Sequence, residues 1–422
     1  MSVGESAIRQ ARVWLLGIAV VAVFGCSNSV QTATLTTNLP QLISYTERFN
    51  ATSDLFKVTV RYAATPADFE LDDEGTSDLI AGTNLRSVTT IDRFVDISGV
   101  LETLDRSSFY PGLLRLGESD GKQFLLPLSF NIPMMIFPST DSDQIASSVT
   151  LEVDELRRMA VEFESDPFGD GTRMAFSARW DGAVAYLFTR FFDVDFRETD
   201  EALAAWNEVR LQETLNYIRA WSKEVNGGSE QEDAFQSTYL NDPGYRLVAD
   251  ERIRFAHMGL DDYLHVPGEI RERLDFRWLS HNGSIPVDED MVFVGRMRSA
   301  RNRRAADAFL AWILDPDVQA ELLEIDRYRR VRGFGFAGGF SGIESTNTGA
   351  LSRLFPEVRG RAPSSASLQF PSRIPVEWPL IRTTVVYPWL LEESAAETRG
   401  ELLSEHILQW RRDRPDSDPS RR

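Results

Sequence analysis

Three carboxylates stand in succession at Asp288-Glu289-Asp290, and a pair of carboxylates can serve as the general acid and base of a glycosidase. Such residues are abundant in this chain, which has 64 Asp and Glu against 45 Lys and Arg. A run of them is therefore more often a solvated turn than an acid/base pair. No other feature of the sequence favours glycoside hydrolysis, so we predict a turn here.

Two patterns for binding a cofactor or a metal are incomplete. Residues 333–338 have the G-x-G-x-x-G spacing of a dinucleotide loop, but the Arg-rich stretch before them is not a buried strand and no clear helix follows. Asp166, Asp170 and Gly171 resemble part of a calcium loop, yet Ser177 stands where the bidentate Glu belongs. The sequence therefore predicts a turn at residues 166–171, and neither a cofactor loop at 333–338 nor a metal site.

Nucleophilic and metal-assisted chemistry also lacks its residues. The four histidines have no close metal-ligand pairing, and no G-x-S-x-G elbow occurs. The only cysteine is Cys26, which acylation would consume. We therefore expect a binding protein and not an enzyme, with no catalytic residues.

The amino terminus has the pattern of a bacterial lipoprotein signal. Arg9 and Arg12 precede an uncharged run of 12 residues, 13–24, which is too short to span a bilayer but suits the apolar region of a signal peptide. Gly25 and Cys26 follow, as a small residue precedes the acylated cysteine of a lipobox. We predict a signal peptide at residues 1–25 and lipidation at Cys26, which would anchor the mature protein in the cell envelope. The alternative is an ordinary secretory signal whose cysteine is incidental.

Beyond a polar tether at residues 26–33, the first part of the chain alternates between strand and helix. Strands are predicted at residues 34–37, 57–62 and 78–82, with an amphipathic helix at 39–50 that turns Leu42, Ile43, Tyr45 and Phe49 inward. A strand, a crossover helix and a second strand imply a parallel pair. The ligands of such open α/β sheets gather at the carboxyl ends of the strands.

From about residue 151 the apolar spacing of three and four residues indicates helices. They are predicted at residues 153–164, 180–192, 200–206, 211–225, 304–314 and 393–411. The final residues, 412–422, are charged and contain proline, which predicts a disordered tail.

Several segments, taken in order, resemble the extracellular solute-binding proteins of ABC importers, in particular the class that binds sugars and oligosaccharides. They include TLTTNLPQLISYTERFN, DLIAGTNL, FVDISGVLE, GKQFLLPLSFNIPMMIFPST, SDPFGDGTRMAFS and SIPVDEDMVFVGRMRSARNRRAADAFLAWILDPDVQAELL. The resemblance implies a two-lobed α/β flytrap of type II, with three hinge crossings near residues 126–137, 286–296 and 334–345. It places lobe 1 at residues 34–130 and 291–340, and lobe 2 at 131–290 and 341–411.

The same resemblance implies which side chains face the ligand. Sugar sites combine aromatic faces with polar groups that satisfy hydroxyls. The candidates by family position are Asn38, Gly82, Phe130, Asn131, Trp180, Asp181, Asp261 and Asp290. For each of them, packing or turn formation is an alternative to ligand contact.

The expected partners are a small solute, a sugar by the resemblance, and the permease subunits of an ABC importer. The Gly-Gly stretch with an aromatic residue that many sugar binders carry is replaced by residues 281–286, HNGSIP. A polyamine or another cationic solute, held by Asp261 and Asp290, is therefore an alternative ligand, and an adhesin or envelope factor without transport is an alternative class. The formal net charge of -19 disfavours nucleic acid, and we expect a monomer.

Overall fold

The structure is a computed structural model that describes residues 30–68, 77–164, 172–199, 204–331, 333–396 and 400–414. The predicted signal peptide, Cys26, the loop around Asp166 and Asp170, and residues 415–422 lie outside these ranges. No described helix is both long enough and apolar enough to span a bilayer.

Strands and helices alternate in the first third of the described chain, and helices dominate afterwards. The strands are β1 (Gln31–Thr37), β2 (Phe56–Tyr62), β3 (Leu79–Gly82), β4 (Glu118–Ser119), β5 (Lys122–Gln123), β6 (Leu126–Phe130), β7 (Met134–Pro138), β8 (Thr150–Glu152), β9 (Ala256–Met258), β10 (Leu274–Ser280), β11 (Ile285–Pro286), β12 (Val292–Arg296), β13 (Phe340–Ser341) and β14 (Leu368–Gln369). The helices are α1 (Gln41–Thr52), α2 (Val88–Ile91), α3 (Ser98–Leu101), α4 (Pro111–Leu116), α5 (Val153–Glu164), α6 (Gly182–Phe191), α7 (Glu208–Val225), α8 (Ser229–Tyr239), α9 (Gly244–Ala249), α10 (Leu260–His265), α11 (Gly268–Arg271), α12 (Arg303–Ile313), α13 (Pro316–Arg329), α14 (Glu344–Thr346), α15 (Ser352–Leu354), α16 (Trp378–Ile381), α17 (Tyr387–Ala395) and α18 (Leu403–Arg412). Two π-helical segments, Asn347–Leu351 and Arg382–Val386, join neighbouring helices.

The first sheet has the strand order β13-β6-β12-β3-β1-β2. Strand β1 pairs in parallel with both β2 and β3, so the chain returns through a crossover connection each time. Strands β6, β12 and β13 pair antiparallel on the other side of β3. This sheet forms the centre of the first lobe, and the carboxyl ends of β1 and β3 meet at one of its edges.

The second sheet has the strand order β8-β10-β7-β9 and forms the centre of the second lobe. Strand β6 ends at Phe130 in the first sheet and β7 begins at Met134 in the second, so the chain crosses between the lobes at residues 131–133. It returns between β10 and β12, at residues 281–291. Both crossings fall within or beside the segments predicted for them.

The third crossing lies later than the sequence predicted. Residues 334–345 include β13, which pairs with β6 inside the first sheet, so the chain is still in the first lobe there. It then passes through β14, which pairs in parallel with β11 of the second crossing, and reaches α16 in the second lobe. The family resemblance placed this crossing too early, and strands of two residues leave almost no periodicity that could have corrected it.

Each face of the second sheet packs into a different hydrophobic cluster. In β7, Met134 and Ile136 join the cluster that also fills the first lobe, whereas Met135 and Phe137 face α5, α6 and α17. Side chains of successive strand residues point to opposite faces, which explains the alternation. The crossings are therefore flanked by continuous apolar packing on both sides.

Four local predictions are wrong. Strand β1 begins at Gln31 and pairs with Phe56, so it takes in the end of the tether predicted for residues 26–33. On α1, Ile43 is 50% exposed although it was predicted to point inward. Residues 204–206 are not helical, and the final helical stretch is divided into α17 and α18. Mixed polar and apolar spacing in these segments fits more than one period.

Candidate functional site

A cavity of about 200 Å³ lies on the second-lobe side of the first two crossings. It is lined by Pro133, Ala183, Tyr186, Leu187, Arg190, His257, Pro286, Val287, Asp288, Glu289, Asp290, Arg382 and Tyr387. One space is thus surrounded by five parts of the chain: the first and second crossings, α6, β9 and the segment from Arg382 to Tyr387. Clefts at such junctions are common ligand sites.

The three crossings are bonded side by side, which fixes the floor of the cavity. The backbone N–H of Asp288 donates to the carbonyl of Asn131 at 2.9 Å, joining the second crossing to the first. The N–H of Val287 donates to the carbonyl of Gln369 at 2.8 Å, joining the second crossing to the third. The Asp288-Glu289-Asp290 run is therefore held between the lobes and is not a solvated turn, contrary to the prediction from sequence.

Helix α6 supplies the wall. Asp181 caps it, because its Oδ1 accepts from the N–H of Ala183 at 2.8 Å. Ala183, Tyr186 and Arg190 then face the cavity at intervals of three and four residues, as one side of a helix does. A Cβ on Gly182 would lie only 2.6 Å from the Cβ of Tyr387, so glycine lets α17 pack this close to the start of α6.

Glu289 is the centre of a buried polar cluster and is only 5% exposed. Its Oε1 accepts from the Tyr186 hydroxyl at 2.5 Å, and its Oε2 accepts from Arg382 Nη1 at 2.7 Å. Its Oε2 also accepts from Trp378 Nε1 at 3.0 Å, and Arg190 Nη1 lies 3.5 Å from Oε1. A buried carboxylate needs such partners, and here they attach the second crossing to the helices of the second lobe.

The charges of this cluster shift the pKa of its neighbours. Burial, reinforced by the charge of Glu289, raises the pKa of Tyr186 well above its ordinary value, so this hydroxyl stays a hydrogen-bond donor. Burial opposes the charge of Arg382, but Glu289 and Asp290 outweigh it and raise its pKa. Arg382 Nη2 donates to Asp290 at 3.0 Å and Nη1 to Glu289, so both of these carboxylates have a cationic partner.

The carboxylate of Asp288 differs from those of Glu289 and Asp290 in its partners. The Asp288 side chain is solvent-accessible and forms part of the cavity lining. Burial in this space and the nearby charge of Asp290 raise its pKa to about 6, although Arg382 and Arg190 partly oppose the rise. No hydrogen bond or ion pair to its carboxylate is formed by the described residues.

His257 of β9 completes the charged part of the lining. Burial lowers its pKa, and the charge of Asp181 only partly offsets that effect. The imidazole is therefore neutral at pH 7. Within the described chain, no three His, Cys, Asp or Glu side chains are placed to hold a metal ion.

The predicted residues of the first lobe form a separate group. The Nδ2 of Asn38 donates to the carbonyl of Ala64 at 3.3 Å, and its buried Oδ1 has no partner among the described residues. A Cβ on Gly82 would lie 3.6 Å from that Oδ1, so the two residues are neighbours, as parallel strand ends must be. Neither lines the cavity on the second lobe.

The first crossing holds two predicted residues in different environments. Phe130 is 1% exposed and packs edge-on against Tyr110, with ring centroids 5.1 Å apart, so its ring presents no face to a ligand here. Asn131 is partly buried, and its Nδ2 donates to the carbonyl of Gly338 at 3.0 Å. Its carbonyl is the one that fixes Asp288.

Trp180 and Asp181 directly precede α6, whose next turns line the cavity. The Trp180 ring is partly buried and stacks on Phe235 at 5.5 Å, while its buried Nε1 has no partner among the described residues. Asp181 is exposed and influences His257 through its charge.

Asp261 lies elsewhere, at a contact between the lobes. Its Oδ1 accepts from the N–H of Phe334 at 2.6 Å, so α10 of the second lobe is bonded to the segment that precedes β13. A comparable contact is made by Glu198, whose Oε2 accepts from the N–H of Val88 at 2.8 Å. Of the eight predicted residues, Asp290 lines the cavity, and Asn131 and Asp181 adjoin it.

The sequence did not single out Tyr186, Arg190, His257, Arg382 or Tyr387 as lining residues. The spacing of Ala183, Tyr186 and Arg190 on a predicted helix was the only signal that could have found part of this wall. Arg382 and Tyr387 belong to a π-helical segment and the helix after it, whose placement depends on the whole fold.

No family model matches the sequence, and no curated protein matches it by sequence. Solved structures match it in shape. A sugar-binding protein, MalE, from Xanthomonas citri has a TM-score of 0.64 at 11% identity, with 90% of this chain and 96% of that chain covered. An ABC substrate-binding protein from Listeria monocytogenes in complex with cycloalternan has a TM-score of 0.59 at 12% identity, covering 91% and 98%.

A third match is a cyclic alpha-maltosyl-1,6-maltose binding protein from Arthrobacter globiformis, with a TM-score of 0.59 at 16% identity and coverage of 90% and 96%. By their names these neighbours are an ABC substrate-binding protein and two sugar-binding proteins, and the match covers at least 90% of each chain. The predicted two-lobed α/β flytrap fold is thereby confirmed. This chain has the two-lobed α/β fold of these binding proteins.

Proposed function

We propose that this protein is the substrate-binding component of an ABC importer, and that it captures a sugar or oligosaccharide between its lobes and delivers it to a membrane permease. The observation that carries the proposal is the cavity at the crossings of a fold shared with sugar-binding proteins. Proteins of this fold have been solved with cycloalternan, with mannobiose and with maltotetraose. A ligand at the crossings would be in a position to change the angle between the lobes.

The lining supports a sugar by its chemistry. Tyr387 offers an aromatic ring that can cover the apolar face of a pyranose. Asp288 and His257 offer polar atoms that can bond hydroxyl groups, and Arg190 and Arg382 add donors. On the first lobe, the free Oδ1 of Asn38 beside Gly82 could meet the same ligand when the lobes close.

We further propose that the mature chain is anchored by lipid at Cys26 and works as a monomer in the cell envelope. The lipobox-like Gly25-Cys26 after an apolar run supports the anchor. The absence of a nucleophile, a metal cluster and a complete cofactor loop in the sequence supports binding without catalysis.

A thermal-shift screen of the protein lacking residues 1–26 tests the proposal. Ligands that bind the folded state raise the melting temperature in a concentration-dependent way. We expect at least one mono- to tetrasaccharide to do so, and we expect purified protein to leave the same saccharides intact. Sugar turnover that follows the protein through purification would contradict the binding role.

A further inference from the structure

The three carboxylates of the cavity lining differ in whether they have partners. Glu289 is bonded by Tyr186, Trp378 and Arg382, and Asp290 is bonded by Arg382. Within the described chain, Asp288 has no such bond although it is held in place from its backbone. A carboxylate that lines a cavity without a partner, on a backbone held in place, is available to accept a hydrogen bond from a ligand.

The charges around Asp288 indicate what kind of hydrogen-bond donor it would bind. Arg190 pairs with Glu289, and Arg382 pairs with both Glu289 and Asp290. His257 is neutral because burial lowers its pKa. Asp181, beside the cavity, adds a further negative charge. The cavity lining itself has three carboxylates and two guanidinium groups, while the buried Arg86, whose charge interacts with Glu289, lies outside the lining. Asp288 is the lining carboxylate without a bonded cation among the described residues, so a cation is the group that would pair with it.

An ammonium group would stabilise the Asp288 carboxylate more than a hydroxyl group would. Either can donate a hydrogen bond, but only a cation also relieves the repulsion between Asp288 and Asp290 and the penalty of burying the charge. Hydrogen bonds between charged partners are also about twice as strong as neutral ones.

The size of the cavity limits what it can hold. A volume of about 200 Å³ lies below the ~300–1,000 Å³ of most ligand pockets, so it suits one unit at the end of a ligand. A larger space of about 360 Å³ lies beyond Arg190, against residues 369–372. Its carboxylates are already bonded, Asp193 by Gln369 and Asp195 by Ser372, so it offers no equivalent free group.

We propose that Asp288 binds a protonated amine of the ligand, so that the cavity selects amino sugars over neutral sugars of the same shape. This inference rests on the proposed function and narrows its substrate class. Asp288 acts as a specificity residue, and the cluster around Glu289 holds the crossing that positions it.

Matched sugar pairs test the inference by isothermal titration at pH 7.5. The pairs are glucosamine with glucose, galactosamine with galactose, mannosamine with mannose, and the β-1,4-linked disaccharide of glucosamine with cellobiose. We expect the amine member of at least one pair to bind about tenfold more tightly than its hydroxyl partner. Asp288→Asn should reduce that preference to within about twofold, because it keeps the shape and removes the charge.

Asp242→Asn is the matched control. It makes the same change in net charge as Asp288→Asn, but Asp242 is exposed in the turn after α8. It should keep the full preference. Neutral sugars that bind as well as their amine partners would overturn the inference and leave the proposed function standing. A panel in which no sugar binds would overturn both, and a preference unchanged by Asp288→Asn would show that another residue holds the amine.

Discussion

Replacing Asp288 with Asn should make the unliganded protein more stable at neutral pH. The folded structure raises the pKa of this carboxyl from 3.8 to about 6. At about 1.4 kcal/mol for each pKa unit, the rise corresponds to at most about 3 kcal/mol of lost stability once the group is ionised in both states. Because the side chain is open to the cavity, solvent screening reduces this value, and we expect about 1 kcal/mol.

The sign of the pH dependence follows from the direction of the shift. A carboxyl whose pKa is raised by folding stabilises the protein below its unfolded pKa, and that contribution is lost as the pH rises through the folded value. The Asn variant has no such loss. Its advantage in the free energy of unfolding should therefore be near zero at pH 4 and reach its full size above pH 7.

Urea unfolding followed by tryptophan fluorescence at pH 4 and pH 7.5 measures this difference. Asp242→Asn serves as the control for net charge, and its stability should match the wild type at both values of pH. An Asp288→Asn protein that is less stable than the wild type at pH 7.5 would refute the reasoning, since it would mean that the carboxylate has a stabilising partner in the unliganded protein.

Three further predictions concern the cluster, the stacked ring and the anchor. Glu289→Gln should lower the free energy of unfolding by about 3 kcal/mol, because it leaves buried guanidinium groups without their counter-charge, whereas the exposed Glu269→Gln should have little effect in the same urea titration. Trp180→Ala should lower the melting temperature of the unliganded protein through a loss of about 3 kcal/mol, since the ring stacks on Phe235; an unchanged melting temperature with weaker sugar binding would instead mean that the ring serves only the ligand. Cys26→Ser should move the protein from the membrane fraction to the soluble envelope fraction, as judged by immunoblotting, and continued membrane association would contradict lipidation.

Long periodic segments made the fold predictable. The pattern from β1 through α1 to β2 gave the parallel start of the first sheet, and the ordered segments with their family resemblance gave the two lobes. Short elements were less predictable: β13 and β14 have two residues each, so the third crossing could not be located from periodicity.

The site was harder to predict than the fold because its members are far apart in sequence. Asp290 was found through its place at the second crossing, but Asp288, two residues before it, was assigned to a solvated turn. Its place in the cavity lining depends on one backbone hydrogen bond to Asn131 and on the wall that α6 supplies, and neither can be detected in the local sequence. Arg382 is about a hundred residues further along, so its pairing with Glu289 appears only in the folded chain.

Native mass spectrometry of the protein lacking residues 1–26 tests the central claim most directly. The protein would be mixed with equal concentrations of neutral and amino saccharides of one to four units, together with putrescine, spermidine and dipeptides. The proposed function predicts a 1:1 complex whose added mass is that of a saccharide. Complexes formed only with a polyamine or a dipeptide, or no saccharide complex at all, would contradict it.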